Sequence, residues 1–378
     1  MMTQTLLSAP QGRFELRRWP PSARDLLQAW DAADEYLLNF LAEQAPPEQA
    51  RITLFNDAFG ALAVALAGYQ VTALSDSCLS QLATRRNLVT NGAPADAVVL
   101  LDSLQTPPAG ADYALIKIPK TLALLEYQLL HLRPRLSPQT RVIAAGMAKN
   151  LAPGAWSLCE RILGPVTTSL AIKKARLLHI AYDPAIEPPP NPYPGYYAVD
   201  ELPAPLLNHA NGFSRERLDI GSRFFLRHLP DNPEYAEVAD LGCGNGVLGC
   251  VYALRQPEAN LHFIDESFMA IDAARQNFNR LFPEREARFS VNDCLSGVAA
   301  NSADCVLCNP PFHQQQAVGG HIAERMFAQA KHVLRKGGEL RIIGNRHLDY
   351  HKSLKKLFGS CKLIANNDKF VVLQAVKR

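Results

Sequence analysis

The amino-acid sequence predicts an α/β protein made of two tandem, Rossmann-like units related by internal duplication. Short apolar runs alternate with helical patterns of about 10–15 residues, which is typical of a parallel sheet with crossover helices. This alternation occurs twice along the 378 residues, and a proline-rich segment separates the two occurrences. Together these three observations favour two copies of one fold.

Each half contains five predicted strands, which are identified from their short apolar runs. In the first half the strands are predicted at Arg51–Phe55, Val71–Leu74, Ala97–Leu101, Tyr113–Ile118 and Arg141–Ala145. In the second half they are predicted at Glu237–Leu241, Asn260–Ile264, Ala287–Val291, Ala303–Cys308 and Glu339–Ile343. The clearest bridging helices are Ser80–Asn91 and Ser267–Leu281.

The two halves also share an ordered series of matching residues. The pairs, in chain order, are Gly60 with Gly246, Asp76 with Asp265, Asp102 with Asp293, Pro119 with Pro310, Gly164 with Gly359, and Lys174 with Lys369. One such match could arise by chance, but an ordered series indicates duplication.

The boundary between the halves is predicted at a proline cluster that extends from Pro184 to Pro194 and lacks a periodic apolar pattern. Such a segment favours extended polyproline geometry and acts as a semi-rigid spacer. We therefore expect a first domain at residues 1–186, a linker at 187–197 and a second domain at 198–378.

Composition sets limits on partners and location. Lys plus Arg number 39 against 36 Asp plus Glu, a net charge of +3, which excludes a histone-like polycation but allows a local basic patch. The longest apolar stretch, Phe59–Gly68, is far shorter than the ~20 residues that span a bilayer, and no export signal is apparent. Of the eight cysteines, Cys305 and Cys308 form the only close pair, within a strand pattern. We expect a cytoplasmic monomer that binds neither a membrane nor a metal.

A glycine-rich turn in the second half is the first candidate site. The strand Glu237–Leu241 contains Asp240 and continues into Gly242-Cys243-Gly244-Asn245-Gly246, after which a helix begins. Glycines allow a sharp turn and close approach to a ligand, and a helix N-terminus presents free N–H groups. Asp265 ends the next strand, 25 residues beyond Asp240, where a carboxylate suits ribose hydroxyls. The pattern predicts a pocket for an adenosine-type cofactor.

The strand Ala303–Cys308 runs directly into the second candidate site, Asn309-Pro310-Pro311-Phe312-His313. Two prolines cannot continue a sheet ladder, so they fix an extended turn at the carboxyl end of the strand. The Asn309 amide oxygen and the Pro310 carbonyl are acceptors that match the two N–H donors of an exocyclic amine. Phe312 offers a face for a base. The segment therefore favours binding of an aromatic amine over hydride transfer.

These two motifs resemble those of the class I ribosomal RNA guanine-N2 methyltransferases. Asp240–Gly246 looks like their S-adenosyl-L-methionine motif, and Asn309–Phe312 resembles the motif of enzymes that methylate exocyclic amines. The trailing His313 and the upstream segments Asn211–Arg215 and Leu218–Ser222 narrow the resemblance to this family. Leu27–Leu38 and Asn345–Tyr350 are most similar to the branch that acts on the large ribosomal subunit.

The resemblance implies two tandem class I methyltransferase folds, the N-terminal copy degenerate, and a role for each matching residue. Gly242, Cys243, Gly244, Asn245 and Gly246 would surround the methionine part of the cofactor, and Asp265 would bind the ribose. Asn292, Asp293 and Cys294 would border the adenine, and Phe213 lies in a segment that would close over the cofactor. Asn309, Pro310, Pro311 and Phe312 would hold the guanine of large-subunit (23S) ribosomal RNA.

The first half lacks both motifs. At the glycine turn it reads Asn56-Asp57-Ala58-Phe59-Gly60, and opposite Asn309-Pro310 it has Ile118-Pro119. We therefore expect it to bind no cofactor and to position RNA instead, with basic residues that the sequence places at Lys117, Lys120, Lys173, Lys174 and Arg176.

Several other functions remain open from the residues alone. The same chemistry could methylate guanine N2 in small-subunit (16S) RNA, adenine N6, or a glutamine amide of a protein. A nicotinamide dehydrogenase could share the glycine turn, although it would not explain Asn309–Phe312. A non-catalytic RNA-binding assembly factor is the alternative from a different class.

Overall fold

The computed structural model describes residues 4–21, 27–151, 153–311 and 319–378. Its chain forms two compact units, residues 1–192 and 193–378, which are described separately. The first unit contains β1 (Leu6–Ala9), β2 (Gly12–Glu15), α1 (Ala32–Gln44), β3 (Arg51–Phe55), α2 (Ala61–Ala65), β4 (Gln70–Ser75), α3 (Cys78–Thr90), β5 (Val99–Asp102), β6 (Tyr113–Lys117), α4 (Leu122–Leu132), β7 (Arg141–Met147), α5 (Pro153–Ile162), β8 (Val166–Thr168) and β9 (Ala175–Ile180).

The second unit repeats this order of elements, including the initial hairpin and the helix that follows it. It contains β10 (Gly195–Tyr197), β11 (Leu206–Asn208), α6 (Ile220–Leu226), β12 (Glu237–Leu241), α7 (Val247–Arg255), β13 (Asn260–Asp265), α8 (Phe268–Leu281), β14 (Arg288–Val291), β15 (Ala303–Cys308), α9 (Gly319–Val333), β16 (Leu334–Asn345), α10 (Tyr350–Phe358), β17 (Lys362–Asn366) and β18 (Phe370–Val376).

Each unit is built on a seven-stranded sheet, and the two strand orders are the same. The orders are β5-β4-β3-β6-β7-β9-β8 in the first unit and β14-β13-β12-β15-β16-β18-β17 in the second. The first five strands of each order are parallel. Strands β9 and β18 are antiparallel to β7 and β16, and the edge strands β8 and β17 are antiparallel to β9 and β18. The predicted α/β duplication is therefore confirmed, and the five strands predicted in each half are the parallel ones.

The direction of winding reverses between β12 and its neighbour β15. Open α/β sheets bind ligands at such a point, beyond the carboxyl ends of the strands. Helix α7 packs closely on this part of the sheet, because a Cβ atom at Gly249 would lie only 2.2 Å from the Phe263 ring. The glycine turn between β12 and α7 is consequently held against β13.

Strand register corrects one match between the halves. Strands β4 and β13 each have six residues, and their first five pair with β3 and β12. Their last residues, Ser75 and Asp265, therefore correspond, whereas the sequence comparison set Asp76 against Asp265. A comparison that allows the offset to drift cannot resolve a shift of one residue.

The same reasoning changes the counterpart of Asn309. The last residue of β3 pairs with Ile116, and the last residue of β12 pairs with Cys308. The next residues, Lys117 and Asn309, therefore correspond, whereas the sequence comparison set Ile118 there. The first unit has a cation where the second has an amide.

The change from one unit to the next falls between Pro192 and Tyr193. Gly195–Tyr197, which the sequence assigned to the linker, instead form β10 and pair with β11. None of the helices among the described residues is long and apolar enough to cross a membrane.

Candidate functional site

The turn after β12 has a backbone that requires glycine. Gly242, Gly244 and Gly246 have φ values of 71°, 54° and 83°, which are strained for other residues. A Cβ at Gly246 would meet Ala274 at 3.0 Å, whereas one at Gly244 would meet nothing within 4 Å. Gly246 therefore serves packing against α8, and Gly244 borders open space that a ligand can occupy.

Asp240 lies beneath this turn and is fully buried. Its Oδ2 accepts the Gly249 N–H at 2.8 Å, while its Oδ1 is buried and accepts no hydrogen bond from the described residues. Burial raises the pKa of Asp240 to about 7, and the nearby charge of Asp265 adds to the rise. The carboxylate therefore gains stability from any positive charge brought close to it.

Asp265 at the end of β13 fixes the other side of the turn. Its Oδ2 accepts the Gly244 N–H at 2.9 Å, and its Oδ1 accepts the Ser267 N–H at 3.0 Å. The backbone N–H groups of Gly242 and Cys243 both donate to the Ile264 carbonyl. Asp265, the residue predicted to bind a ribose, is thus in direct contact with the glycine turn.

The other two side chains of the turn point into the protein. Cys243 is buried, and Asn245 donates through Nδ2 to the Tyr197 hydroxyl at 3.0 Å. Asn277 on α8 donates to the Asn245 carbonyl at 2.9 Å and also hydrogen-bonds the backbone of Leu207. These residues fasten the β10–β11 hairpin to the turn, so Cys243 and Asn245 can face a ligand only through their backbone.

The segment after β14 has a buried ion pair that the sequence did not predict. Asp293 is buried, and both its oxygens accept from the Arg325 guanidinium on α9, one of them at 2.6 Å. Asn292 donates to the Ser296 carbonyl at 2.7 Å, and Cys294 has φ 51°. The Asp293 carboxylate is therefore occupied by Arg325, and its oxygens are not free to bind a ligand while this pair is formed.

Asn309 directly follows β15, and a side chain from α6 orients its amide. Its Nδ2 donates to the Ser222 hydroxyl at 3.0 Å, whereas its Oδ1 is buried and accepts no hydrogen bond from the described residues. Ser222 is itself buried, and its N–H donates to Asp219 Oδ2 at 2.9 Å. The arrangement leaves the Asn309 oxygen as a buried acceptor that has no partner among the described residues.

The two predicted motifs meet at one edge of the sheet. A Cβ at Gly242 would lie 4.0 Å from the Asn309 carbonyl oxygen and 3.3 Å from the Met326 methyl group. Pro310 is buried and Pro311 is exposed. Phe312 and His313 lie outside the described residues.

A cleft of about 610 Å³ lies beside α6, and we call it the α6 cleft. Phe213 lines it and is 58% exposed, and no residue of the Gly242–Gly246 turn is part of the lining. The full lining comprises Phe213, Ser214, Arg217, Leu218, Asp219, Ile220, Gly221, Arg223, Asn345, Lys369 and Phe370.

In the first unit, the N–H groups of the corresponding turn donate hydrogen bonds to a residue of that turn. Asp57 is buried and accepts backbone N–H groups from Gly60, Ala61 and Ala63 at 3.1, 2.9 and 2.8 Å. Its carboxylate thus takes up the donors at the start of α2. Phe59 fills the approach, and the Arg18 guanidinium covers its ring at 4.9 Å.

Lys117, the counterpart of Asn309, is part of the same internal network. Its ammonium pairs with Asp31 at 2.8 Å and with Asp34 at 2.6 Å, and its side chain is only 13% exposed. Burial lowers the pKa of Lys117, but the two carboxylates outweigh burial and hold it above its ordinary value. The expectation that Lys117 positions RNA is therefore wrong, because this cation is already neutralised inside the unit.

The remaining basic residues of the first unit differ in their surroundings. Lys173 pairs with Glu35 at 2.6 Å on the surface. Lys120 and Lys174 are exposed, and Arg176 is half-buried. Of these residues, the last three have no ion-pair partner in the described part of the chain, so their charges are available for the expected RNA-positioning role.

Sequence reasoning missed two functional neighbours, Ser222 and Arg325. Ser222 belongs to the Leu218–Ser222 motif, but nothing in the linear sequence shows that its side chain contacts Asn309, 87 residues away. Arg325 had no signal at all. Among the described residues, no cluster of three or more His, Cys, Asp or Glu side chains is arranged to hold a metal ion.

Known protein families match both halves of the chain. A family model described as the RLMG N-terminal domain matches residues 4–184, and one described as the methyltransferase small domain matches residues 204–374. The T. thermophilus 16S rRNA N2 methyltransferase, solved with AdoMet and guanosine, is 21% identical and superposes with a TM-score of 0.78 over 99% of this chain and 98% of that one. At this identity the likeness establishes the fold.

Curated relatives are similar over their whole length. Ribosomal RNA large subunit methyltransferase G of Pseudomonas paraeruginosa is 51% identical over 375 residues, which cover 98% of this chain and 100% of the relative. The Streptomyces coelicolor protein of the same name is 48% identical over 376 residues, again covering 98% and 100%. The chain therefore belongs to the ribosomal RNA large subunit methyltransferase G family.

Proposed function

We propose that this protein transfers a methyl group from S-adenosyl-L-methionine to the exocyclic N2 of a guanine in large-subunit (23S) ribosomal RNA. The observation that carries the proposal is the Asn309 amide next to the Gly242 turn, whose Oδ1 accepts no hydrogen bond from the described residues. The names of relatives that are 51% and 48% identical support large-subunit RNA as the substrate. The guanosine bound to the T. thermophilus enzyme supports guanine as the methylated base.

The residues present fit this cofactor. Gly244 borders open space, and the carboxylates of Asp240 and Asp265 lie below and beside the turn. Asp240 Oδ1 accepts no hydrogen bond from the described residues, which favours a ligand that carries positive charge, as the methionine part of the cofactor does. We assign the methionine part to Gly242–Gly246, the ribose to Asp265, and the adenine to the backbone of Asn292–Cys294. Phe213 stays a proposed closing residue at the edge of the α6 cleft.

The proposed chemistry is a direct displacement. When bound, the cofactor would supply an electrophilic methyl group on a positively charged sulfur; as the bond from guanine N2 to the methyl carbon forms, the carbon–sulfur bond breaks and the neutral thioether leaves. Asn309 Oδ1 and the Pro310 carbonyl accept the two N–H groups of the guanine amine, which favours a pyramidal nitrogen with an available lone pair. Pro311 keeps the turn extended, and Phe312 is proposed to stack on the base. Neither acceptor is a base at neutral pH, so the proton released from N2 passes to water.

Positioning supplies most of the acceleration in this scheme. Holding two reactants in near-attack geometry can lower a barrier by about 7–11 kcal/mol. Ser222 contributes by fixing the Asn309 amide with its oxygen toward the substrate. The guanine must leave any base stack to reach Asn309, so we expect an unpaired or flipped nucleotide as the target.

For the first unit we propose a supporting role in RNA positioning without cofactor binding. Asp57 and Phe59 occupy the turn that would face a cofactor, and Lys117 replaces the catalytic amide. Lys120, Lys174 and Arg176 are the basic residues that remain for RNA. We also propose a cytoplasmic location, because ribosomal RNA is the proposed substrate.

The decisive experiment uses ribosomal RNA from a strain in which the gene is deleted. Purified protein and isotopically labelled cofactor are added to protein-free large- and small-subunit RNA, and the labelled nucleoside is identified by mass spectrometry. We expect N2-methylguanosine in the large-subunit RNA. Label in small-subunit RNA, in adenine, or in neither RNA would contradict the proposal.

A further inference from the structure

The α6 cleft lies at the same edge of the sheet as Asn309. Asn345 is the last residue of β16 and pairs with Phe370, the first residue of β18, so both stand at the carboxyl edge. Strand β15, which leads into Asn309, is the other neighbour of β16. Since neighbouring strands lie about 4.8 Å apart, the cleft begins roughly one strand from Asn309. Ser222 also joins the two, because it lies between cleft residues and bonds Asn309.

The charge of the cleft is positive. Arg217, Arg223 and Lys369 line it, all three are exposed, and none forms an ion pair within the described part of the chain. The single carboxylate of the lining, Asp219, accepts the Ser222 N–H at 2.9 Å. Cations without acidic partners in a concave surface raise the local concentration of anions.

The rest of the lining suits nucleosides. Ile220 is 68% exposed and Phe213 is 58% exposed, and both line the cleft, so together they offer an apolar surface that a base can cover. Asn345 Oδ1 is buried and accepts no hydrogen bond from the described residues. Such an acceptor can take a base N–H or a ribose 2′-hydroxyl, which is the group that distinguishes RNA from DNA.

We propose that the α6 cleft binds the RNA strand immediately next to the methylated guanine. This inference rests on the proposed function, because it takes the guanine to be held at Asn309. Arg223 and Lys369 contact the phosphates that flank the target nucleotide, the apolar surface around Ile220 receives the neighbouring base, and Asn345 accepts from that nucleotide. The catalytic unit thereby holds its own substrate strand rather than relying on the first unit alone.

The test measures RNA binding by the full-length protein as a function of salt. The variant combines Arg223→Gln with Lys369→Gln, and the probe is a protein-free large-subunit RNA transcript. The control combines Lys336→Gln with Lys362→Gln, which removes two exposed cations that do not line the cleft. We expect the slope of log affinity against log salt to become shallower by about 1–2 in the variant, and the control to match the wild type.

Methyl transfer is measured on the same samples. We expect the KM for RNA to rise severalfold in the cleft variant, with kcat at saturating RNA and the Kd for the cofactor unchanged. A variant with the salt slope and KM of the control would overturn the inference and leave the proposed function intact. A wild-type protein that methylates no guanine, while its salt slope still depends on the cleft, would instead refute the proposed function alone.

Discussion

The hydrogen bond from Asn309 to Ser222 gives the sharpest prediction, the effect of Ser222→Ala. The substitution removes the hydroxyl that accepts the Asn309 Nδ2 at 3.0 Å inside a buried helix face. The amide then loses the contact that turns its oxygen toward the substrate.

The structure sets the size of the effect. An unsatisfied buried donor costs about 1–3 kcal/mol, and a cost of about 1.4 kcal/mol corresponds to a tenfold change in rate. If the lost contact acts on the orientation needed in the transition state, kcat falls by about 5- to 150-fold. The Kd for the cofactor stays unchanged, because Ser222 does not belong to the glycine turn.

Single-turnover methyl transfer, calorimetric cofactor binding and thermal melting separate this positioning role from a structural one. Ser290→Ala is the matched control, because it removes a hydroxyl that bonds His262 at 2.8 Å in the same unit. We expect similar melting temperatures for the two variants and a loss of kcat only in Ser222→Ala. A folded Ser222→Ala protein whose kcat is within about twofold of wild type would refute the reasoning.

Three further predictions follow from the site. Asn309→Ala should bind the cofactor normally and lose about a hundredfold or more in kcat, measured with labelled cofactor; normal turnover would remove Asn309 from the mechanism. Asp240 has a pKa of about 7 without ligand, so it is protonated below that pH, and a cationic cofactor must displace the proton; calorimetry should show the Kd rising as pH falls, by up to about tenfold per unit. A Kd that is constant between about pH 6 and about pH 7.5 would contradict this. Gly244→Ala and Gly246→Ala both carry the strain of a positive φ, about 1–2 kcal/mol. Gly246→Ala should lower the melting temperature further, because its Cβ meets Ala274 at 3.0 Å, whereas Gly244→Ala, whose Cβ enters open space, should lose more cofactor affinity. Equal effects of the two substitutions on both measurements would disprove the distinction.

The parallel strands of each unit could be predicted because each one is encoded by a short apolar run of neighbouring residues. A buried parallel strand reads as an apolar run, and β3, β12 and β15 begin and end where that run does. The antiparallel strands β8, β9, β17 and β18 were not predicted. Their pairing depends on strands far along the chain, which a linear pattern does not record.

The candidate site was predictable in its motifs but not in its connections. The glycine turn and the Asn309 segment could be recognised from the sequence, because few other structures require those residue types in that order. The contacts of Ser222 with Asn309, and of Arg325 with Asp293, join distant segments through single side chains. Serine and arginine are also common on exposed surfaces, so the sequence alone does not reveal these contacts and the folded structure does.

The Lys117 ion pairs of the first unit bear on how the two copies can evolve. Restoring an asparagine at this position would leave Asp34, which is 5% exposed, without its cation. Breaking such a buried pair costs about 3–5 kcal/mol, a large share of the stability of a typical domain. A return to catalysis would require simultaneous changes at Lys117, Asp34 and the turn around Asp57, since each single step passes through a less stable protein. Under the proposed division of roles, a single substitution at Lys117 would therefore not create a catalytic site in the first unit.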